Sequence, residues 1–273
     1  MPIYTPGKLT LRKTWQPMDP DAAAYITAVE TADGQSLEEG VKRAIDNFVL
    51  GCKEDGVWSA IKASCILAGA RTLAGCLVPL AGAAPTNNGF VGIGTDYARK
   101  SGLGDSSNTS KYLDTNRKSN DQAQNNISFG VYITNAGTTS TRRIQIGTDY
   151  LGNPVDYNSV EAYSDNRYYF YNRGVSNELA AAASSGSSTG FIGLSGNNSS
   201  SYTARINSST VTGNFSSLAP STSTFKVLAR TTPNPALYST SKVAFYFIGE
   251  SLDLAKLDSR VTDLMNTLGA AIP

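Results

Sequence analysis

The chain has no histidine, only three cysteines, and 23 Lys and Arg set against 22 Asp and Glu. Without histidine it lacks the usual general base, the commonest zinc ligand and the side chain that titrates near neutrality. The even charge balance leaves no bulk positive field for nucleic acid or an anionic lipid surface, so neither is expected as a partner. Cys52, Cys65 and Cys76 are odd in number and lack metal-ligand spacing, which reads as three small buried hydrophobes. No glycine-rich loop runs into Lys and Ser/Thr to cradle a phosphate. Closely spaced acids of the kind that flank a glycosidic bond are missing too. The nearest approach, Glu250 with Asp253, fits polar capping of the last helix better. Together these absences predict a protein that is not an enzyme and carries no cofactor.

Long apolar runs are also scarce. Residues 63–84 carry a single charge, Arg71, yet Pro79 and glycines 69, 75 and 82 interrupt them, so no membrane span is expected. The stretch divides instead into "SCILA" and "TLAGCLVPL", which read as two short buried strands. The N-terminal "MPIYTPGKLTLRKTW" lacks an apolar signal core, and Sec-type export is not expected.

What is abundant is Asn, Ser, Thr, Gly and Tyr, the composition of a turn-rich all-β protein with a polar surface. Four prolines surround one strand candidate, "KLTLRKTW", so residues 1–19 read as an extended arm. Residues 20–56 read as a helical segment. "DPDAAAYITAVETADG" has a capping Asp and a terminating Gly, and "SLEEGVKRAIDNFVLGC" places Ser36 and Glu39 at capping-box spacing ahead of a helical apolar stripe. From residue 57 to 273, short strands alternate with turn clusters, which predicts a sandwich or jelly roll. In "ISFGVYITN", Ile127, Phe129, Val131 and Ile133 take one face and Ser128, Gly130, Tyr132 and Thr134 the other. "AAAASSGSSTG" at 180–190 reads as a low-complexity loop. A short closing helix carries Leu254, Leu257, Val261, Leu264 and Leu268 at heptad spacing, a stripe that suits either packing on the chain's own sheet or an oligomer contact.

Two clusters could contact a ligand. "AYSDNRYYFYNR" supplies Tyr163, Tyr169, Tyr171 and Arg173 as a platform for sugar rings. Alternation sends Tyr168 and Phe170 to the opposite face, so half of the aromatic cluster belongs to the core. Asp114, Asn116 and Asp121 offer oxygen ligands of the kind calcium takes, although their spacing matches no EF-hand and a solvated turn uses the same residue types.

"DGVWSAIKASCILAG" after an amphipathic helix, then "NNGFVGIGTDYARKSGL" with "SKYLDTNR", and finally "VAFYFIGESLDLAKLDSRVTDLMNTLGAAI" resemble concanavalin A-like, LamG-type domains of tailed-phage and prophage structural proteins. That resemblance implies a jelly-roll β-sandwich and a place on the virion surface, tail or capsid, made in the host cytoplasm. It further implies other virion proteins and a host-surface glycan or receptor as partners, and a homo-oligomer, a trimer by analogy with virion appendages. Under this reading the chain is a tail-fibre or baseplate receptor-binding protein. Alternatively it is a capsid decoration protein, anchored through arm residues Ile3, Tyr4, Lys8, Leu9, Leu11 and Trp15.

Overall fold

The computed structural model describes residues 18–137, 142–150, 156–163, 167–174, 178–182, 189–214, 216–232 and 236–273. The arm residues Ile3, Tyr4, Lys8, Leu9, Leu11 and Trp15 lie outside the described residues. The fold is mostly β-sheet with few helices.

Helix α1 (Pro20–Asp33) starts where Asp19 accepts the Asp21 N–H and Pro20 presets the first turn. It ends at Gly34, whose φ of 68° is the left-handed cap that glycine adopts without a Cβ penalty. Helix α2 (Glu39–Glu54) buries Val41, Ala44, Ile45, Phe48, Val49 and Cys52, as its apolar spacing requires. The expected Ser36/Glu39 capping box does not form, because the chain enters α2 through Glu38, which makes no side-chain cap. Glu38 instead receives two hydrogen bonds from the Arg99 guanidinium, at 2.9 and 2.6 Å, and an ion pair from Arg71 at 3.0 Å.

The Arg99 hydrogen bonds hold the Glu38 carboxyl at about 2, well below the usual Glu range. A carboxyl pKa depressed in the folded state contributes stability that is present above the unfolded pKa and is lost as pH falls through about 2. Glu38→Gln is therefore expected to cost about 1–2 kcal/mol at neutral pH, allowing for solvent screening of a partly exposed pair. Urea unfolding of the two proteins should separate at pH 7 and converge as pH 2 is approached.

Of the two strands expected between residues 63 and 80, only β1 (Ile61–Ile66) forms. "TLAGC" makes one helical turn, α3 (Leu73–Cys76), because the buried Asp33 carboxylate gathers the chain. It accepts the Arg71 N–H, the Thr72 N–H and the Thr72 hydroxyl at 2.7–2.8 Å. Gly75 passes so close that a Cβ would lie 2.1 Å from Asp33 Oδ1, so a side chain here would push the turn off its acceptor.

The strands make two antiparallel sheets. The first runs β13 (Ser209–Asn214), β12 (Ser201–Ile206), β11 (Gly190–Gly196), β6 (Ile127–Asn135), β17 (Lys242–Gly249), β4 (Gly102–Leu103), β3 (Tyr97–Ala98), and β1 also pairs with β17. The second runs β10 (Glu178–Ala182), β9 (Arg167–Tyr171), β8 (Ser159–Ala162), β7 (Arg143–Thr148), β14 (Thr224–Val227), β5 (Tyr112–Lys118), β2 (Thr86–Asn88). A small hairpin, β15 (Ala229–Arg230) with β16 (Leu237–Tyr238), lies beside β7. Part of the segment expected as a low-complexity loop, up to residue 182, belongs to β10 and pairs with β9.

The sheets face each other. Phe129 of β6 and Phe225 of β14 pack with ring centroids 5.0 Å apart at 52°, and the Tyr202 hydroxyl donates to the Phe170 carbonyl across the gap at 2.9 Å. The reverse face of β6 is not the solvent face its polar residues predict. Ser128 and Gly130 are buried there, and the small Gly130 leaves room for Phe247, which a Cβ would approach to 2.9 Å. Phe247 stacks on Phe191 and Phe245, and Phe48 of α2 meets Phe245 edge-on at 5.7 Å. A helical layer therefore covers the first sheet, and one continuous apolar cluster contains α1, α2 and both sheets.

Helix α4 (Leu254–Ala271) completes that layer. Asp253 caps it by accepting the N–H groups of Ala255 and Lys256, the capping role expected of the Glu250/Asp253 pair. Leu254, Leu257, Val261, Leu264 and Leu268 are all buried within the chain, where α4 packs on α2 and β11. Of the two readings of the stripe, intramolecular packing is the one realised, and the oligomer-contact reading is corrected. No described helix is long and apolar enough to cross a membrane.

Candidate functional site

The outer face of the second sheet carries the aromatic cluster. Register sets Glu161 opposite Tyr169 and Ser159 opposite Tyr171 on that face, while Val160, Ala162, Tyr168 and Phe170 point between the sheets and are buried. The predicted division of the tyrosines therefore holds. Facing outward is not the same as being exposed, however. Tyr157 packs over Tyr171 at 5.3 Å, and Tyr150 packs on Tyr157 at 4.2 Å, leaving Tyr171 buried.

Arg173 is corrected more sharply. It is fully buried, at 0% exposure, with a left-handed φ of 55°. Its Nη1 donates to the Ser119 hydroxyl and carbonyl, its Nη2 to the carbonyls of Gln122 and Ala123, and Asp156 lies 3.8 Å away. Desolvation lowers its pKa to about 10. Arg173 clamps the 119–123 segment and is out of reach of a surface ligand.

Tyr163 and Tyr169 remain half-buried, with ring centroids 4.2 Å apart at 44°. The Arg142 guanidinium lies 5.5 Å over Tyr163 and 5.8 Å over Tyr171. The same guanidinium grips Glu161 bidentately along one edge, Nη2 to Oε1 at 2.8 Å and Nε to Oε2. Glu161 has no exposed surface and also accepts the hydroxyls of Tyr157 and of Ser159, the latter at 2.7 Å. Arg230 stacks 4.6 Å over Tyr150. The result is a ribbon of tyrosines braced by two guanidiniums and one buried carboxylate, ending in the partly open Tyr163–Tyr169 pair.

A phenol hydrogen-bonded to a carboxylate is also the form of an activated nucleophile. Here desolvation, reinforced by Glu161, pushes the Tyr157 phenol well above its ordinary range, so it stays protonated and holds Glu161 in place. Arg142, Tyr157 and Glu161 were not singled out from sequence. The alternation of Ser159, Glu161 and Tyr163 was the available signal, but it needs the β8–β9 register to place Tyr169 and Tyr171 beside them.

Asp114, Asn116 and Asp121 are engaged within the turn. Asp114 accepts the Thr224 hydroxyl at 2.8 Å and the Asn116 N–H at 2.9 Å. Asn116, at φ 58°, donates to the Ala84 carbonyl, and Asp121 accepts the Lys118 N–H at 2.8 Å. Among the described residues no group of three Cys, Asp or Glu side chains is placed to hold a metal ion. Cys52, Cys65 and Cys76 are free and buried, and burial raises all three thiols, Cys52 and Cys65 to about 12.

No family model and no curated protein matches the chain. Among solved structures, a Trypanosoma rangeli sialidase in complex with a 2,3-difluoro-KDN aligns over 77% of this chain and 33% of its own length, with TM-score 0.52 and 9% identity. A T. rangeli sialidase with 2,3-difluorosialic acid aligns over 90% and 38%, with TM-score 0.51 and 7% identity. Tailspike protein 2 of Escherichia coli O157:H7 bacteriophage CAB120 aligns over 57% and 23%, with TM-score 0.39 and 10% identity. The chain spans about a third of the length of the sialidases it matches, and at such identities the likeness is one of β-rich fold. The expectation that the chain is not an enzyme is corrected: the fold it aligns with occurs, over about a third of their length, in structures of sialidases, so it gives no ground for excluding catalysis. The missing histidine and acid pair excluded particular mechanisms only.

Proposed function

We propose that the chain is a bacteriophage tail protein that binds host-surface glycan, with the Tyr163–Tyr169 pair on the outer face of the second sheet as its contact. The sandwich that carries the pair is read as a concanavalin A-like jelly roll, in keeping with the two facing antiparallel sheets and the phage-protein resemblance of the sequence. The supporting observation is a tilted tyrosine pair 4.2 Å apart beside the Arg142–Glu161 fork. Aromatic faces present C–H-rich sugar rings with apolar area at low entropic cost, and a guanidinium edge supplies fixed donors for hydroxyls or carboxylates.

Tyr163→Ala and Tyr169→Ala are each expected to weaken binding to host cells by about tenfold, the cost of removing an aromatic anchor worth more than about 1 kcal/mol. Tyr168→Phe, an inward-facing control, should bind as the parent does. Normal binding by both alanine variants would remove the platform from consideration. Oligosaccharide released from capsular or lipopolysaccharide preparations in the same incubations would add turnover to binding.

A further inference from the structure

Strand β13 is the outermost strand of the eight-stranded sheet. It pairs with β12 in unbroken register from Ser201↔Asn214 to Ile206↔Ser209, with no bulge. On its far side the main chain of Ser209–Asn214 has no partner among the described residues. Its sequence, Ser-Thr-Val-Thr-Gly-Asn, contains neither charge nor proline, and Ser209, Thr210, Thr212 and Asn214 are exposed. Sheet edges are ordinarily blunted by shortness, charge, proline, bulges or a covering segment. Of the other described edge strands, β2 and β3 are only three and two residues long, and β10, the far edge of the second sheet, is five residues long and opens on the charged Glu178. The flank of β1 is taken, because Leu80 and Ala81 exchange main-chain hydrogen bonds with Ser64. Among the described residues the main-chain edge of β13 has none of these protections, although β10 of the facing sheet approaches its inner face, where Leu179 lies against Gly213.

We propose that β13 is a self-pairing edge: two copies of the chain join antiparallel along Ser209–Asn214, extending the sheet across a two-fold axis. Antiparallel pairing about an axis normal to the sheet preserves its faces. In the register that sets Thr212 on the axis, Thr212 meets its own copy and Thr210 meets Asn214 on the outer face, while Val211, packed against the core, meets Gly213 on the inner face. An uncharged strand meets itself without like-charge cost. A basic strand such as "KLTLRKTW" from the arm, with Lys8, Arg12 and Lys13, would find no acid on β13 to receive it. The seam replaces the oligomer contact that the buried α4 stripe does not offer. Six residues a side fall below the roughly 1,000 Å² of a stable interface, so the dimer is weak and concentration-dependent.

Sedimentation velocity over a wide concentration series tests this. The parent chain should move from monomer toward twice the monomer mass as concentration rises. Thr212→Lys and Thr212→Glu should each remain monomeric, because each sets like charges against one another across the axis, while an equimolar mixture of the two should regain the dimer. Thermal melts of the single variants, expected to match the parent, separate loss of pairing from loss of fold. A parent that is monomeric throughout, a dimer untouched by Thr212→Lys, a mixture that stays monomeric, or a dimer lost only on deleting residues 1–17 would each overturn the proposal.

Discussion

Arg142→Ala is expected to lower the stability of the chain by about 3–5 kcal/mol, the cost of leaving a buried charge without its partner. Glu161 has no exposed surface, and Arg142 supplies two of the hydrogen bonds its carboxylate receives. The hydroxyls of Tyr157 and Ser159 remain after the substitution, but neither carries a compensating charge. Arg142→Lys should fall between parent and alanine, since a lysine keeps the charge and loses both the fork and the stacking over Tyr163 and Tyr171. The double variant Arg142→Ala/Glu161→Ala should cost less than the two single changes summed, because the residues share one interaction. Urea unfolding midpoints of the parent, Arg142→Ala, Arg142→Lys, Glu161→Ala and the double variant measure these differences. A loss below about 1 kcal/mol for Arg142→Ala would mean that Glu161 is solvated and the network beneath the tyrosines is not rigid.

Much of the architecture was legible from local signals. Asp19, Pro20 and Gly34 bound α1 because capping and φ preferences act within a few residues, and period-2 alternation placed β6 and β9. What failed to read out depended on partners distant in sequence. The turn at Leu73–Cys76 is made by Asp33, and the missing cap at Glu38 by Arg99. The polar-looking face of β6 is buried because α2 and α4 cover that sheet, and strand alternation contains no record of a third layer. The candidate site follows the same rule. Alternation alone separated Tyr169 and Tyr171 from Tyr168 and Phe170. Whether an outward tyrosine is open depended on Tyr157 and Tyr150, which arrive from the loop between β7 and β8. Arg173 illustrates the limit of reading by residue type, because an arginine beside aromatics suggested a ligand contact and is a buried clamp.

The second large effect is expected on α4. Leu257→Ala and Leu264→Ala should each destabilise the chain by about 2–5 kcal/mol, the range for truncating a buried leucine. Both side chains sit at or near zero exposure where α4 packs on α2. Their removal should leave the sedimentation behaviour of the folded protein unchanged. Were the stripe an oligomer contact, the same substitutions would change the mass and spare the monomer's unfolding midpoint, which is the opposite pattern.

The measurement that bears most directly on the proposed function is a calorimetric titration of the purified chain with oligosaccharides from capsule and lipopolysaccharide, run in parallel on the Tyr163→Ala/Tyr169→Ala double variant. Saturable binding by the parent, weakened by about tenfold or more in the double variant while its melting temperature is retained, is the expected result. Equal binding by the two proteins, or no binding by the parent to any host-surface fraction, would contradict a glycan contact at the Tyr163–Tyr169 pair.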